Sequence, residues 1–220
     1  MLAFIGSTVC NWAQECIAGP EEVIMKRLLI GFLAGLALGS LALGQAASGV
    51  NSVDQSFKDG GTIWLRLASG NYRVRGGASD RIVVRWYPEG SDKMDEMKKI
   101  KVRTELSGNV ATIHTDGPVR DARFVIELPP RSDLFLRMRA GDIKFEGIEG
   151  NKDLRMTAGE LKVDIMPSSY SRVHASATFG EVEASPLGIS KGGVKQSFTW
   201  NGGGKYKLHA SLFAGEVSIF

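Results

Sequence analysis

The sequence predicts an all-β chain assembled from short repeated strands, and three observations carry that prediction. A phrase recurs as Met138-Arg139-Ala140-Gly141-Asp142-Ile143-Lys144-Phe145, Met156-Thr157-Ala158-Gly159-Glu160-Leu161-Lys162-Val163 and Ala177-Thr178-Phe179-Gly180-Glu181-Val182-Glu183-Ala184, with a degenerate copy over residues 212–219. Its glycines fall at 141, 159, 180 and 215, so the first intervals are 18 and 21 residues and the last is 35. Similarity at such a period points to stacked units, each too small to bury its own apolar face. Upstream of the phrase, β-branched and aromatic runs alternate with glycine-rich turns, which favours strands over helices. The expected architecture is a repeat-built, β-helix-like β-solenoid, or an irregular β-sandwich of short strands, with one short helix near 91–99.

The chain opens with a segment that does not belong to this fold. Residues 1–24 hold both cysteines (Cys10, Cys16), Trp12 and no basic residue, and read as upstream sequence included by a mistaken start codon. Glu21-Glu22-Val23-Ile24 can be encoded by a purine-rich stretch like a bacterial ribosome-binding sequence, just before Met25. Residues 25–47 have a basic start (Lys26, Arg27), an apolar run over 28–43 and a small-residue end (Gly44-Gln45-Ala46-Ala47), the plan of a secretory signal peptide cleaved after Ala46 or Ala47. The apolar run is shorter than the roughly 20 residues that cross a bilayer, so no stable membrane span is expected after cleavage.

Without residues 1–47 the chain has no cysteine, hence neither disulfides nor thiolate metal sites. The whole chain carries 27 Lys and Arg against 24 Asp and Glu, a formal net charge of +3. Losing Lys26, Arg27, Glu15, Glu21 and Glu22 leaves 25 bases and 21 acids, a net of +4. The two signs are interspersed, which argues against a nucleic-acid partner, whose basic residues would gather in a stripe.

Strands are expected in order at 50–58, 62–67, 71–75, 81–87, 100–105, 110–115 and 123–128. Lys58-Asp59-Gly60-Gly61, Gly76-Gly77-Ala78-Ser79-Asp80, Gly108 and Gly117 mark turns between them. Ser91 or Asp92 can cap a helix of one or two turns that runs into Met94-Asp95-Glu96-Met97. Pro129-Pro130 cannot lie inside a central strand and separates an N-terminal β region, 48–130, from a C-terminal Gly-Asp/Glu repeat region, 131–220. From Asp133 the strands are expected to shorten, each phrase turning at its glycine. Ser69-Gly70-Asn71-Tyr72 and Ser107-Gly108-Asn109-Val110 read as weaker copies, and the 35-residue interval has room for an eroded one near Gly192-Gly193. Gly202-Gly203-Gly204-Lys205 reads as a hairpin between 198–200 and 206–208. The residues after each repeat glycine, Ile143/Phe145, Leu161/Val163, Val182/Ala184 and Val217/Ile219, are expected to stack as the core.

Ser69-Gly70-Asn71-Tyr72-Arg73-Val74, the segment 124–130 with Val125-Ile126-Glu127-Leu128-Pro129, and the repeats at 139–145 and 157–163 together resemble the bacterial "putative adhesin" group known as DUF4097, related to autotransporter-adhesin head domains. The resemblance runs over roughly residues 53–220. It implies an exported, all-β, repeat-built domain and no catalytic residues.

Asp142, Glu160, Glu181 and Glu216 share one repeat position. Coils stacked in register would set them in a column about 4.8 Å apart. Such a row has the oxygen ligands that Ca²⁺ takes, and two of its members could lie at the spacing of a glycosidase acid and base. The plainer reading is a polar residue after a turn glycine, neutralised by Lys144 and Lys162 two residues on. No catalytic, cofactor-binding or metal residue is assigned, and these four carboxylates are the only candidates; Ca²⁺ is the one cofactor they could hold. His114, His174 and His209 lack zinc spacing, no Gly-x-Ser-x-Gly elbow occurs, and Trp64, Trp86 and Trp200 are expected mostly in core or cap positions. The parity of Phe220 with Ser218 and Glu216 argues against a lipid-facing barrel strand. The expected function is an exported, non-enzymatic periplasmic or cell-surface module that binds or scaffolds a glycan, the cell wall or another envelope protein. A carbohydrate-active enzyme using the carboxylates, and an envelope-stress sensor, are the alternatives.

Overall fold

The computed structural model describes residues 51–90, 94–117, 120 and 122–220. The expected upstream segment, signal peptide and helix cap at 91–92 lie outside them. The fold is all-β. In chain order the strands are β1 (Asn51–Ser56), β2 (Thr62–Leu67), β3 (Gly70–Gly76), β4 (Arg81–Pro88), β5 (Lys101–Ser107), β6 (Val110–Asp116), β7 (Ala122–Leu128), β8 (Asp133–Glu146), β9 (Lys152–Val163), β10 (Tyr170–Ala184), β11 (Ile189–Asn201) and β12 (Tyr206–Ile219), with one four-residue helix α1 (Met94–Met97) between β4 and β5. Pro129 and Pro130 fall in the gap between β7 and β8, where a missing backbone donor costs no ladder bond.

The repeat strands do not shorten. β8, β9, β10 and β12 run for 12 to 15 residues straight through their glycines. What changes at the glycine is the facing of the side chains. In β8 Leu134, Leu136 and Met138 point inward, and after Gly141 so do Ile143 and Phe145, an odd step from Met138 that an unbroken pleat forbids. Gly141 has φ +122°, so each coil has two arms that meet at a corner, and the inner side chains of both arms join one buried cluster. A short third side, Gly147 to Asn151, returns the chain to the next coil and stacks in turn, with Ser132 N donating to Glu149 O at 3.0 Å and Asp133 N to Gly61 O at 3.0 Å. One circuit takes the 18 residues that separate Gly141 from Gly159. The central coils therefore match the solenoid expectation, and antiparallel strands finish both ends.

The spatial order is β1-β4-β7-β3-β8-β9-β12-β10-β11, with β2 and β6 extending the first arm of β8. β12, last in sequence, lies parallel between β9 and β10. The 35-residue interval is thus an excursion: β10 turns back into antiparallel β11, and the chain then crosses the start of β10 to insert β12. Gly202-Gly203-Gly204-Lys205 is that crossing and not a hairpin, since β11 and β12 are not neighbours; Gly204 N donates to Tyr170 O at 3.1 Å and Lys205 N to Ser169 O at 2.9 Å. Gly193 does reach the glycine row, opposite Gly180, but on an antiparallel strand. Gly70 stacks on Gly141 as a true copy, whereas Gly108 is only the turn between β5 and β6.

The expected core column holds. Ile143, Leu161, Val217 and Val182 stack in that spatial order, with Phe145, Val163, Ile219 and Ala184 beside them, all at most 2% exposed. Trp86 is buried, and Trp200 packs against the cluster half-buried.

β2 and β3 form one coil interrupted at Ala68-Ser69, where the long strands continue unbroken. A buried polar network fixes the interruption. Thr115 Oγ1 accepts from Ala68 N at 2.9 Å, Tyr72 OH donates to Ala68 O at 3.0 Å, and the two hydroxyls lie 2.8 Å apart. Burial pushes the Tyr72 phenol pKa up. Tyr72→Phe leaves Ala68 O and Thr115 each short of a partner, and a drop in unfolding free energy of about 1–2 kcal/mol is expected. A denaturant titration reads it as a lowered midpoint at unchanged slope; an unchanged midpoint would mean water replaces the hydroxyl without loss.

Candidate functional site

The four repeat carboxylates do form a row, because the strands that carry them are in exact register. Its order is Asp142, Glu160, Glu216, Glu181, with Glu216 inserted between Glu160 and Glu181 by the placement of β12. All four lie on the outer side of the second arm, Asp142 and Glu181 exposed and Glu160 and Glu216 half-buried.

The neighbouring row, two residues on, reads Lys144, Lys162, Ser218, Glu183. Lys162 Nζ stands 2.5 Å from Glu160 Oε1, and that carboxylate raises the Lys162 pKa. Lys144 was expected to serve Asp142, yet it pairs with Glu146 at 2.7 Å and lies over the Phe220 ring at 4.9 Å. Arg73 reaches the same Glu146 at 2.6 Å; its hydrogen bond, then that of Lys144, brings the Glu146 carboxyl down to about 2. The cations of this face are therefore shared between the repeat carboxylates and the row at the end of the strands.

Asp142 and Glu160 share a shallow groove of about 390 Å³ with Asn71, Arg73, Glu89, Arg123, Lys144 and Lys162. Its aromatic lining is Tyr72, only 4% exposed and stacked on Phe124, so it offers no open ring to a sugar. Acid catalysis needs a carboxyl kept protonated by apolar surroundings; this groove surrounds its carboxylates with four cations. Among the described residues no three of His, Cys, Asp and Glu converge as a metal-holding group.

Two of the three histidines, which lack zinc spacing in the sequence, meet in the fold. His209 on β12 and His174 on β10 are register partners whose rings stack at 5.1 Å and 7°, beside Asp153 of β9. His174 Nδ1 meets Thr199 Oγ1 at 2.9 Å. Burial lowers the His209 pKa, partly opposed by Asp153. Trp64, likewise outward-facing, stacks on Phe135 at 4.4 Å.

A second in-register row, Arg66, Arg137 and Arg155 on the outside of the first arm, was missed in the sequence. Arg137 and Arg155 are spaced by the same 18 residues as Gly141 and Gly159, so extending that period beyond the glycines would have found them.

No family model matches the chain, and no curated protein matches it. Among solved structures, a "putative cell adhesion protein" from Clostridium sporogenes aligns over 77% of this chain and 98% of its own, at 15% identity and a TM-score of 0.49. A "putative adhesin" from Bacteroides fragilis aligns over 79% and 98%, at 9% identity and a TM-score of 0.32. A "putative lipid binding protein" from Parabacteroides distasonis aligns over 78% and 73%, at 9% identity and a TM-score of 0.24.

Proposed function

We propose that the chain is an exported, non-enzymatic module of the bacterial envelope, periplasmic or surface-exposed, that binds or scaffolds other envelope components through its outer faces. One observation carries the binding half of this reading: the polar groups are displayed as in-register rows one rung apart, a geometry that suits an extended or repetitive partner better than a single reacting bond. The paired state of Glu160 and the cationic lining around Asp142 speak against acid–base chemistry on a glycan. Export rests on the basic, apolar and small-residue plan of residues 25–47. No helix among the described residues is long and apolar enough to cross a membrane. Membership of the DUF4097 group belongs to the same proposal and rests on the motifs at 69–74, 124–130, 139–145 and 157–163.

The test is to express the full chain in a bacterium, fractionate the cells and sequence the N-terminus of the exported protein. It is expected to begin at Ala47 or Ser48. Recovery of a cytosolic protein that retains residues 1–24 would overturn the reading. The exported protein is then screened against cell-wall fractions and glycans, with and without EDTA. Retention lost to EDTA and restored by Ca²⁺, but not in D142N/E160Q, would support Ca²⁺ at the carboxylate row; retention that EDTA leaves alone excludes it for that ligand.

A further inference from the structure

We propose that the groove over Arg66, Arg137 and Arg155 binds a carboxylate-bearing polysaccharide laid along the rungs of the first arm. The assignment rests on the binding-module reading above and names a ligand class for it. The three arginines are direct register partners on β2, β8 and β9, so their side chains leave one face of the sheet from positions about 4.8 Å apart. Like charges directly opposite one another destabilise a sheet. The arginines' one ion-pair partner among the described residues is Asp153, in the adjacent outward row, which lies 3.4 Å from Arg137 and 3.0 Å from Arg155. Among the described residues Arg66 and the nearby Arg139 have no ion-pair partner. The second arm is built otherwise, with Arg73 against Glu146 and both Arg75 and Arg85 against Glu127. The first arm thus carries a charge excess that its own side chains do not neutralise, and an anionic ligand would.

The space is present. The interruption at Ala68-Ser69 opens a groove of about 860 Å³ at the end of this row, walled by Trp64, Arg66, Arg137, Arg139 and Arg155, with Asp116 the one carboxylate in its lining against four arginines. The buried Tyr72–Thr115 network holds that interruption in place, so the groove is preformed. Arginine pairs with carboxylates through parallel N–H donors, and Arg66 and Arg139 have theirs uncommitted to any acid. In the adjacent outward row Trp64 and Phe135 precede Arg66 and Arg137 by two residues; the rings stack on one another, and Trp64 also lines the groove, where it forms an apolar wall beside the cations. The chain lacks the strong basic excess of a nucleic-acid protein. A polymer whose sugars each bear a carboxylate would present one charge near each rung.

The experiment titrates the exported protein by calorimetry with polygalacturonate oligomers, a neutral galactan of the same length, and single-stranded DNA at the same charge. Polygalacturonate is expected to bind, the galactan to bind at least about tenfold more weakly, and added salt to weaken the complex. R66Q/R137Q/R155Q and W64A should each lose at least about tenfold in affinity. Lys98, Lys99 and Lys191 lie elsewhere, and K98Q/K99Q/K191Q, with the same charge change, should bind as the parent does. Arg137 also donates to Leu136 O at 2.7 Å, so R66Q/R155Q is measured as well, with a thermal melt of every variant. If glycans bind but the arginine variants that melt like the parent lose nothing, the groove assignment falls while the module reading stands. If no glycan, cell-wall or envelope-protein fraction is retained, both fall. Equal arginine-dependent affinity for DNA overturns the polysaccharide assignment.

Discussion

Gly159→Ala is expected to lower the unfolding free energy by about 4 kcal/mol and the melting temperature on the order of 10 °C. A Cβ on Gly159 would stand 2.0 Å from Gly141 O and 2.8 Å from Gly141 C. Both are backbone atoms of the next rung, so no rotamer relieves the contact. The φ of +117° adds strain for any L side chain. The same conflict recurs along the row, since a Cβ on Gly215 would meet Gly159 O at 2.0 Å, and one on Gly180 would meet Gly215 O at 1.8 Å. Moving one coil away therefore unseats the next, and the core columns on both sides of the corner lose their register. Gly192→Ala is the control, because nothing lies within 4 Å of that added Cβ and its φ is ordinary; its midpoint should match the parent. Equal midpoints for the two variants would show that the glycine row is not what fixes rung spacing.

That row also marks how much of the fold was legible in the sequence. The repeat, its 18-residue circuit and the paired apolar residues after each glycine were readable, because side-chain chemistry repeats wherever one coil must pack on the next. The glycine was misread as a turn. Sequence shows that a position needs an unusual φ, but not whether the hydrogen-bond ladder continues through it, and here it does. Strand boundaries before residue 129 followed local composition closely, as at Thr62–Leu67. The place of β12 did not, because the choice between stacking on β9 in sequence order and inserting later is made by long-range pairing. A numerical sign existed: 35 is close to two circuits, and the extra one is the excursion through β11 that precedes β12.

The candidate site was legible to the same extent and for the same reason. Asp142, Glu160, Glu181 and Glu216 could be aligned from the phrase alone, and the Lys162–Glu160 pair follows from their two-residue spacing on one face. The diversion of Lys144 to Glu146 could not be read, since Arg73 and Phe220 arrive from distant strands. His174 and His209 share the 35-residue interval of Gly180 and Gly215 and could be aligned by extending it, whereas the limit does apply to Arg66, whose partners are contributed by β8 and β6.

Lys152→Leu is expected to raise stability at pH 7 by about 2 kcal/mol and to change how stability depends on pH. Lys152 sits 18 residues after Leu134, in a core row that otherwise reads Ile63, Leu134, Leu208 and Val173. It is 3% exposed; its Nζ donates to Ile148 O at 2.6 Å and contacts Tyr170 OH. Burial pushes its pKa down from 10.5 to about 8, against the opposing pull of Asp164, Glu149 and Asp133. Below pH 8 the lysine is charged in both states, and the folded protein bears the desolvation cost, about 3 kcal/mol for a shift of this size. Between pH 8 and 10.5 the folded lysine is neutral while the unfolded one still binds a proton, so stability rises with pH. Above about 10 the trend reverses, because Tyr72 and Tyr170 are pushed up by burial and the unfolded chain loses phenolic protons first. The parent should therefore be most stable near pH 10. Leucine removes the buried charge at a cost of about 1 kcal/mol for the hydrogen bonds lost, and Tyr170 OH keeps Gly150 O at 3.4 Å. Denaturant midpoints at pH 7, 8, 9 and 10 check this. The parent curve should climb over that range and the variant curve should stay level. Parallel curves would mean that Lys152 is not the titrating group, and a less stable variant at pH 7 would mean that the ammonium's hydrogen bonds outweigh its desolvation.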